Sequence, residues 1–166
     1  NGFPLIVVEL KQQLKGQSVE EAVMQFKRTR SPRDGLFVPR VGSLLYFAVD
    51  DREARLSTGL AGDKTKFVPF NRGYNMGAGN PPTTDGGYST SYLWERFWTK
   101  DMLLDLVSNY LFVKVDENGK ELASPRYHQW DCIDKIEHDV INNSCKNFLI
   151  QHSAGSGKTN TISWLA

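Results

Sequence analysis

Residues 4–10, Pro-Leu-Ile-Val-Val-Glu-Leu, form a β-branched apolar run of strand length, a pattern that predicts a strand buried on both faces. Glu9 lies inside the run and Lys11 just beyond it. Two residues apart in a strand, they point from the same face. The period then changes. Over 18–30, Val19, Ala22, Val23 and Phe26 recur on one side, with Ser18 as N-cap and Glu21 as its capping-box partner, so a helix follows the strand as a crossover element. Residues 44–49 and 55–57 predict two further strands joined by an Asp50-Asp51 turn, after a short approach through 35–38, and a mixed sheet results.

From 59 to 90 the chain is rich in Gly, Pro, Asn and Thr, which predicts a long loop anchored by Phe67, Phe70 and Tyr74. Its Gly77-Ala78-Gly79-Asn80 stretch has no strand before it and no Lys after it, so a structural role is expected. Helical periodicity returns over 92–98 and 100–111, with Trp94, Phe97, Trp98, Leu103, Leu104, Leu106, Val107 and Leu111 expected in the core. Residues 112–115, the turn Asp116-Glu117-Asn118-Gly119 and the segment after it predict a hairpin, and the turn lacks calcium-ligand spacing. A domain boundary is expected at 123–125. A helix follows over 127–141, with Trp130, Ile133, Ile136, Val140 and Ile141 on or near one face. The apolar run 147–150 is then expected as a strand feeding a glycine-rich turn and a new helix.

Composition changes this picture little. With 40% hydrophobic and 11% aromatic residues the chain can build a core, so disorder is not expected. A formal net charge of +1 excludes a dedicated basic nucleic-acid coat, and any DNA contact must be local. The two cysteines, Cys132 and Cys145, form no Cys-x-x-Cys pair and the three histidines are scattered, so neither a zinc site nor a disulfide framework is expected. No apolar run approaches a membrane span and no signal peptide is visible, so a cytoplasmic location is expected. Both ends look cut: Asn1-Gly2 is a hairpin dipeptide that expects a strand before it, and the last helix stops at Ala166 without a capping signal.

The most specific chemistry lies in Gln151-His152-Ser153-Ala154-Gly155-Ser156-Gly157-Lys158-Thr159. Gly155 and Gly157 allow a tight turn in which the N–H groups around Ser156 and the helix N-terminus converge on phosphate oxygens. Lys158 would reach the β- and γ-phosphates and the Thr159 hydroxyl would hold Mg²⁺, so a nucleotide with Mg²⁺ is expected here. His152 stands where the usual spacing has glycine. A plain glycine turn before a surface helix is the bland alternative. Upstream, Tyr127 could stack on an adenine and Gln129 could hydrogen-bond its edge, although both residues equally suit a helix start. Glu9 and Lys11 suit metal-assisted phosphodiester chemistry: the carboxylate ligates Mg²⁺ while the ammonium stabilises the scissile phosphate or orients water. Alone, the same pair also describes a salt-bridged strand end. Gln25 and the cluster Lys27, Arg28, Arg30 and Arg33 could grip a DNA backbone or simply complement a helix C-terminus.

Taken in order, Asn1-Gly2-Phe3-Pro4-Leu5-Ile6-Val7-Val8-Glu9-Leu10-Lys11, then Phe67-Val68-Pro69-Phe70-Asn71, Gly77-Ala78-Gly79-Asn80-Pro81, Tyr92-Leu93-Trp94-Glu95, Arg126-Tyr127-His128-Gln129 and the glycine loop resemble the restriction (motor and endonuclease) subunit of type I restriction-modification enzymes. The resemblance implies an α/β chain: a mixed-sheet, restriction-endonuclease-like PD-(D/E)xK domain over 1–122, then the opening elements of a RecA-like P-loop ATPase over 123–166. It implies that Glu9 is a metal ligand, Lys11 the catalytic lysine, Gln129 the adenine reader, Lys158 the triphosphate lysine and Thr159 the Mg²⁺ ligand. The first acidic residue of the nuclease motif is expected upstream of Asn1. Gln25 would open a Gln-x-x-x-Tyr motif whose Tyr position is Thr29 here. The implied activity is cleavage of double-stranded DNA after ATP-driven translocation, with modification and specificity subunits as partners and no membrane. By itself the chain is expected to catalyse neither step. The rival expectations are an inert nuclease-like module that binds DNA or scaffolds a motor, and an unrelated NTPase indifferent to DNA.

Overall fold

The computed structural model describes residues 2–39, 41–84, 86–117, 119–142 and 147–166. Asn1, Asn118 and Cys145, named above, lie outside the described residues. The first strand, β1 (Ile6–Leu10), runs parallel to β2 (Leu45–Val49), with Glu9 opposite Ala48. Helix α1 (Val19–Thr29) connects them, as its capping signal and apolar face predict: Ser18 N–H donates to the Glu21 carboxylate at 2.9 Å, and Val19, Ala22, Val23 and Phe26 are buried. β3 (Ala54–Ser57) and β4 (Val68–Pro69) add antiparallel neighbours, giving the order β1-β2-β3-β4.

The alternation of side chains divides the sheet between two apolar layers. Val7, Tyr46 and Ala48 face α1 and pack with Phe26, Phe37 and Leu60. Ile6, Val8, Leu45, Phe47, Val49 and Leu56 face the other way. That second layer is closed by 92–111 and by α3 (Tyr127–Ile141). β2 is buried along its whole length, whereas β1 is half-buried and Leu10 is exposed. Only one described strand flanks β1, so the expectation of burial on both faces fits β2 instead.

Residues 92–111 depart from regular helical spacing. Helix α2 (Lys100–Asp105) sits between two wider turns, in which Trp98 N–H bonds Leu93 O and Leu111 N–H bonds Leu106 O, five residues back. The widened turns bury Leu93, Phe97, Leu106 and Tyr110 and leave Trp94, Leu104 and Val107 exposed, which corrects the expected core. β5 (Phe112–Asp116) and β6 (Gly119–Ala123) form the expected hairpin.

The loop 59–90 is tied down. Phe70 is buried and Phe67 packs on Phe26. Asn80 Nδ2 donates to Arg52 O at 2.8 Å and to Asn71 Oδ1 at 2.9 Å, in keeping with a structural role for that stretch. Tyr74, expected as an anchor, is exposed. The apolar core does not divide at 123–125: Tyr127, Trp130 and Ile133 of α3 pack with Phe47, Phe70 and Phe97 of the preceding segment. Helix α4 (Lys158–Leu165) rests on this body through Trp164, whose indole N–H donates to Tyr110 O at 3.1 Å. Residues 147–150 form no strand. No described strand pairs with them, and Leu149 is exposed.

Candidate functional sites

At the C-terminal end of β1, Glu9 and Lys11 emerge on the face covered by α1, where the helix crosses over them. Gln25 points down from α1 because it follows buried Ala22 by three positions and so borders the apolar stripe. Lys11 Nζ donates to Gln25 Oε1 at 2.6 Å and to Glu9 Oε1 at 3.3 Å. The expected pair Glu9 and Lys11 is in contact, and Gln25, expected as a DNA-gripping residue, joins it through Lys11. Arg30, just past the end of α1, donates to the other Glu9 oxygen, Oε2, at 3.0 Å. Arg30 belongs to the basic cluster at the end of α1, and its link to Glu9 spans 21 positions, too far for a local sequence signal. Thr29, at the expected Tyr position, bonds its hydroxyl to Gln25 O at 2.8 Å and reaches no other site group.

Asp50 supports this end of the sheet. It is buried, and its Oδ2 accepts the Val19 N–H at 2.8 Å and the Gln13 amide at 3.1 Å. Its Oδ1 accepts the N–H groups of Arg52 and Glu53, both at 2.8 Å. Burial pushes the Asp50 carboxyl up, but the hydrogen bonds from Arg52, Gln13, Glu53 and Val19 outweigh it and hold the group below the ordinary aspartate range. One carboxylate thus fixes the start of α1 and the β2–β3 turn, the two elements that frame Glu9 and Lys11.

The glycine loop is built against α3. Gly155 and Gly157 take left-handed backbone, with φ of 73° and 83°. The left-handed conformation at Gly157 favours glycine, and a Cβ there would lie 2.7 Å from Gln129 Nε2 and displace that amide. Gln129 is buried and fully engaged: Oε1 accepts Arg126 N–H at 2.9 Å, and Nε2 donates to Gly157 O at 2.9 Å and Ser156 O at 3.4 Å. His128 Nε2 also meets Ser156 O, at 3.0 Å, and its ring meets that of His152 edge to face. Burial, with the neighbouring His128 and Lys158 charges, holds the His152 imidazole below its ordinary pKa. Lys158 Nζ lies across the loop, donating to Ser153 O at 2.9 Å and His152 O at 3.3 Å. Thr159 is exposed in the first turn of α4.

Two residues expected at the base of a nucleotide take other positions. Tyr127 is buried, its ring enclosed by Phe70, Tyr92 and Trp130, which leaves no open face for stacking. The amide of Gln129 is spent on the loop and on its own helix start. In this geometry the Gln129 side chain holds the glycine loop against α3.

Together these features define a mixed-sheet α/β protein with a Glu-Lys-Gln cluster at a strand end and a helix-backed glycine loop. Residues 1–65 match the family model described as type I restriction enzyme R protein N terminus. This segment carries Glu9, Lys11, Gln25 and Asp50 and ends before the glycine loop, and it is similar to the N-terminal part of type I restriction subunits. No curated protein and no solved structure matches the chain. Among the described residues no helix is long and apolar enough to cross a membrane.

Proposed function

We propose that the chain is part of a type I restriction subunit and that Glu9, Lys11 and Gln25 contribute to its double-stranded DNA cleavage centre. The observation that carries this is the convergence of the three side chains, from a strand and a crossover helix, within the segment that matches the restriction-subunit family. Lys11 is the only one of the three that bonds both others, so its ammonium is held at a fixed point beside the carboxylate. From there it would pair with a non-bridging phosphate oxygen and offset charge that builds up as the phosphodiester is attacked. Gln25 holds the Lys11 ammonium in place and accepts one of its protons in a hydrogen bond.

Glu9 offers hard oxygen donors of the kind Mg²⁺ takes. Among the described residues no group of three or more acidic, His or Cys side chains gathers to complete such a site. The described residues thus fit one ligand of the ion and not its whole set, and Lewis acidity is what the bound ion would supply. The loop 151–159 is proposed to hold the phosphates of ATP, with Lys158 exchanging its bonds to loop carbonyls for phosphate oxygens and Thr159 facing Mg²⁺. This would couple the centre to an ATP-driven motor acting on double-stranded DNA, with modification and specificity subunits as partners.

The double ion pair on Glu9 favours a second reading, an inert nuclease-like module attached to a motor, because both carboxylate oxygens are already neutralised by Lys11 and Arg30. The complete restriction complex separates the two. Lys11→Ala should abolish DNA cleavage while DNA-stimulated ATP hydrolysis continues, and Lys158→Ala should abolish hydrolysis. Undiminished cleavage by Lys11→Ala would favour the inert module.

A further inference from the structure

Beside the Glu9–Lys11–Gln25 cluster lies a cavity of about 530 Å³, entered between the end of β1 and the segment 88–94. Lys11 is shared: it lines the cavity and also bonds Glu9 and Gln25. Across the cavity stand two aromatic side chains, Tyr88 and Trp94, with ring centroids 5.9 Å apart and planes at 72°. Both are unusually open for large aromatics, at 50% and 44% exposure, while the neighbouring aromatics Tyr92 and Phe97 are buried. The pair is not on a loose tip. Ser89 N–H bonds Asp51 O at 3.0 Å and the buried Thr90 hydroxyl bonds Asp50 O at 2.9 Å, which pins the segment to the β2–β3 turn.

We infer that Tyr88 and Trp94 form a stacking platform for an unpaired nucleobase of the DNA strand whose phosphate Lys11 contacts. The inference rests on the proposed cleavage function and extends it to how the strand is held. Aromatic faces bind bases of any sequence, which suits a site with no base-edge code of its own. The polar lining agrees. Lys11 and Lys15 are the cations of the cavity. Of its two carboxylates, Asp50 is turned inward onto four donors and Asp51 accepts the Gln13 N–H. The exposed side chain of Leu10 adds an apolar edge at the mouth. A stacked base with its phosphate toward Lys11 fits this arrangement better than an acidic peptide, which would find two lysines among the described lining residues.

The test compares a labelled single-stranded oligothymidylate with an abasic strand of equal length and charge, binding the whole chain. The oligothymidylate should bind more tightly, and Trp94→Leu should weaken it by about 5- to 150-fold without changing the abasic strand. Trp94→Phe, which keeps a stacking face, should retain most of the affinity and guards against a folding defect in Trp94→Leu. Equal affinity for the two strands, unchanged binding by Trp94→Leu, or no binding of either strand would overturn the platform; the last is the outcome expected if this face docks a protein. Lys11→Ala cleavage in the complete complex is read separately. Loss of cleavage there with no Trp94 effect rejects the platform alone, and a Trp94 effect with Lys11-independent cleavage rejects the cleavage centre alone.

Discussion

Asp50 carries four hydrogen bonds at one buried carboxylate, and its loss would be felt on both sides of the Glu9–Lys11–Gln25 cluster. Asp50→Ala leaves the Val19 N–H buried without its acceptor and should cost ~1–3 kcal/mol for that donor alone, measured as a lowered denaturation midpoint. The pH dependence has a definite sign. Because folding holds the Asp50 carboxyl below its unfolded value, its stabilisation is present above the ordinary aspartate range and is lost as pH falls through the folded value. The wild-type chain should therefore lose stability on acidification below that range, and Asp50→Asn should show a shallower acid limb. An equally steep limb in Asp50→Asn would assign the acid sensitivity to other groups. Nothing in the sequence marks this residue beyond its place in a turn. Its partners lie up to 37 positions away, so only the packed structure reveals its role.

Among the elements, α1 and α3 were legible because capping residues and apolar periodicity agree, and their contacts then bring Gln25 and Gln129 to the candidate sites. The segment 92–111 was misread where the turns widen, since each i→i+5 step rotates later side chains off the expected face. β4 is two residues long and includes Pro69, too short to register as a strand. The run 147–150 has strand composition without a partner, and composition alone does not form a ladder. At α3 the pairing of Gln129 with the glycine loop gives a test. Gln129→Ala removes the donors to the Ser156 and Gly157 carbonyls and should loosen the loop, seen as faster amide exchange over residues 153–157 and weaker nucleotide binding. Gly157→Ala should be the more damaging change, because it combines a left-handed backbone with a 2.7 Å approach.

For the whole molecule, the continuous core across 123–125 means that the sheet layer and α3 stabilise each other. Trp130, buried against Phe97 and Tyr127, ties the two segments. Trp130→Ala should cost about 3–5 kcal/mol, and a chain ended at residue 122 should lose its cooperative unfolding transition. An intact transition in the shortened chain would show that the sheet layer folds alone. The expected boundary at 123–125 was placed between a hairpin and a helix, and local chain pattern does not report which apolar surfaces pack together across it. Part of the Glu9–Lys11–Gln25 cluster was legible: the strand period puts Glu9 and Lys11 on one face, whereas the contact of Gln25 with Lys11, the Arg30 ion pair and the Tyr88–Trp94 pair emerge only in three dimensions.

The most direct test of a working cleavage centre is Mg²⁺-dependent double-strand cleavage by the complete restriction complex carrying Glu9→Ala, with DNA-stimulated ATP hydrolysis followed in the same reaction. Cleavage lost with hydrolysis retained is the predicted result; cleavage at the wild-type rate would contradict it.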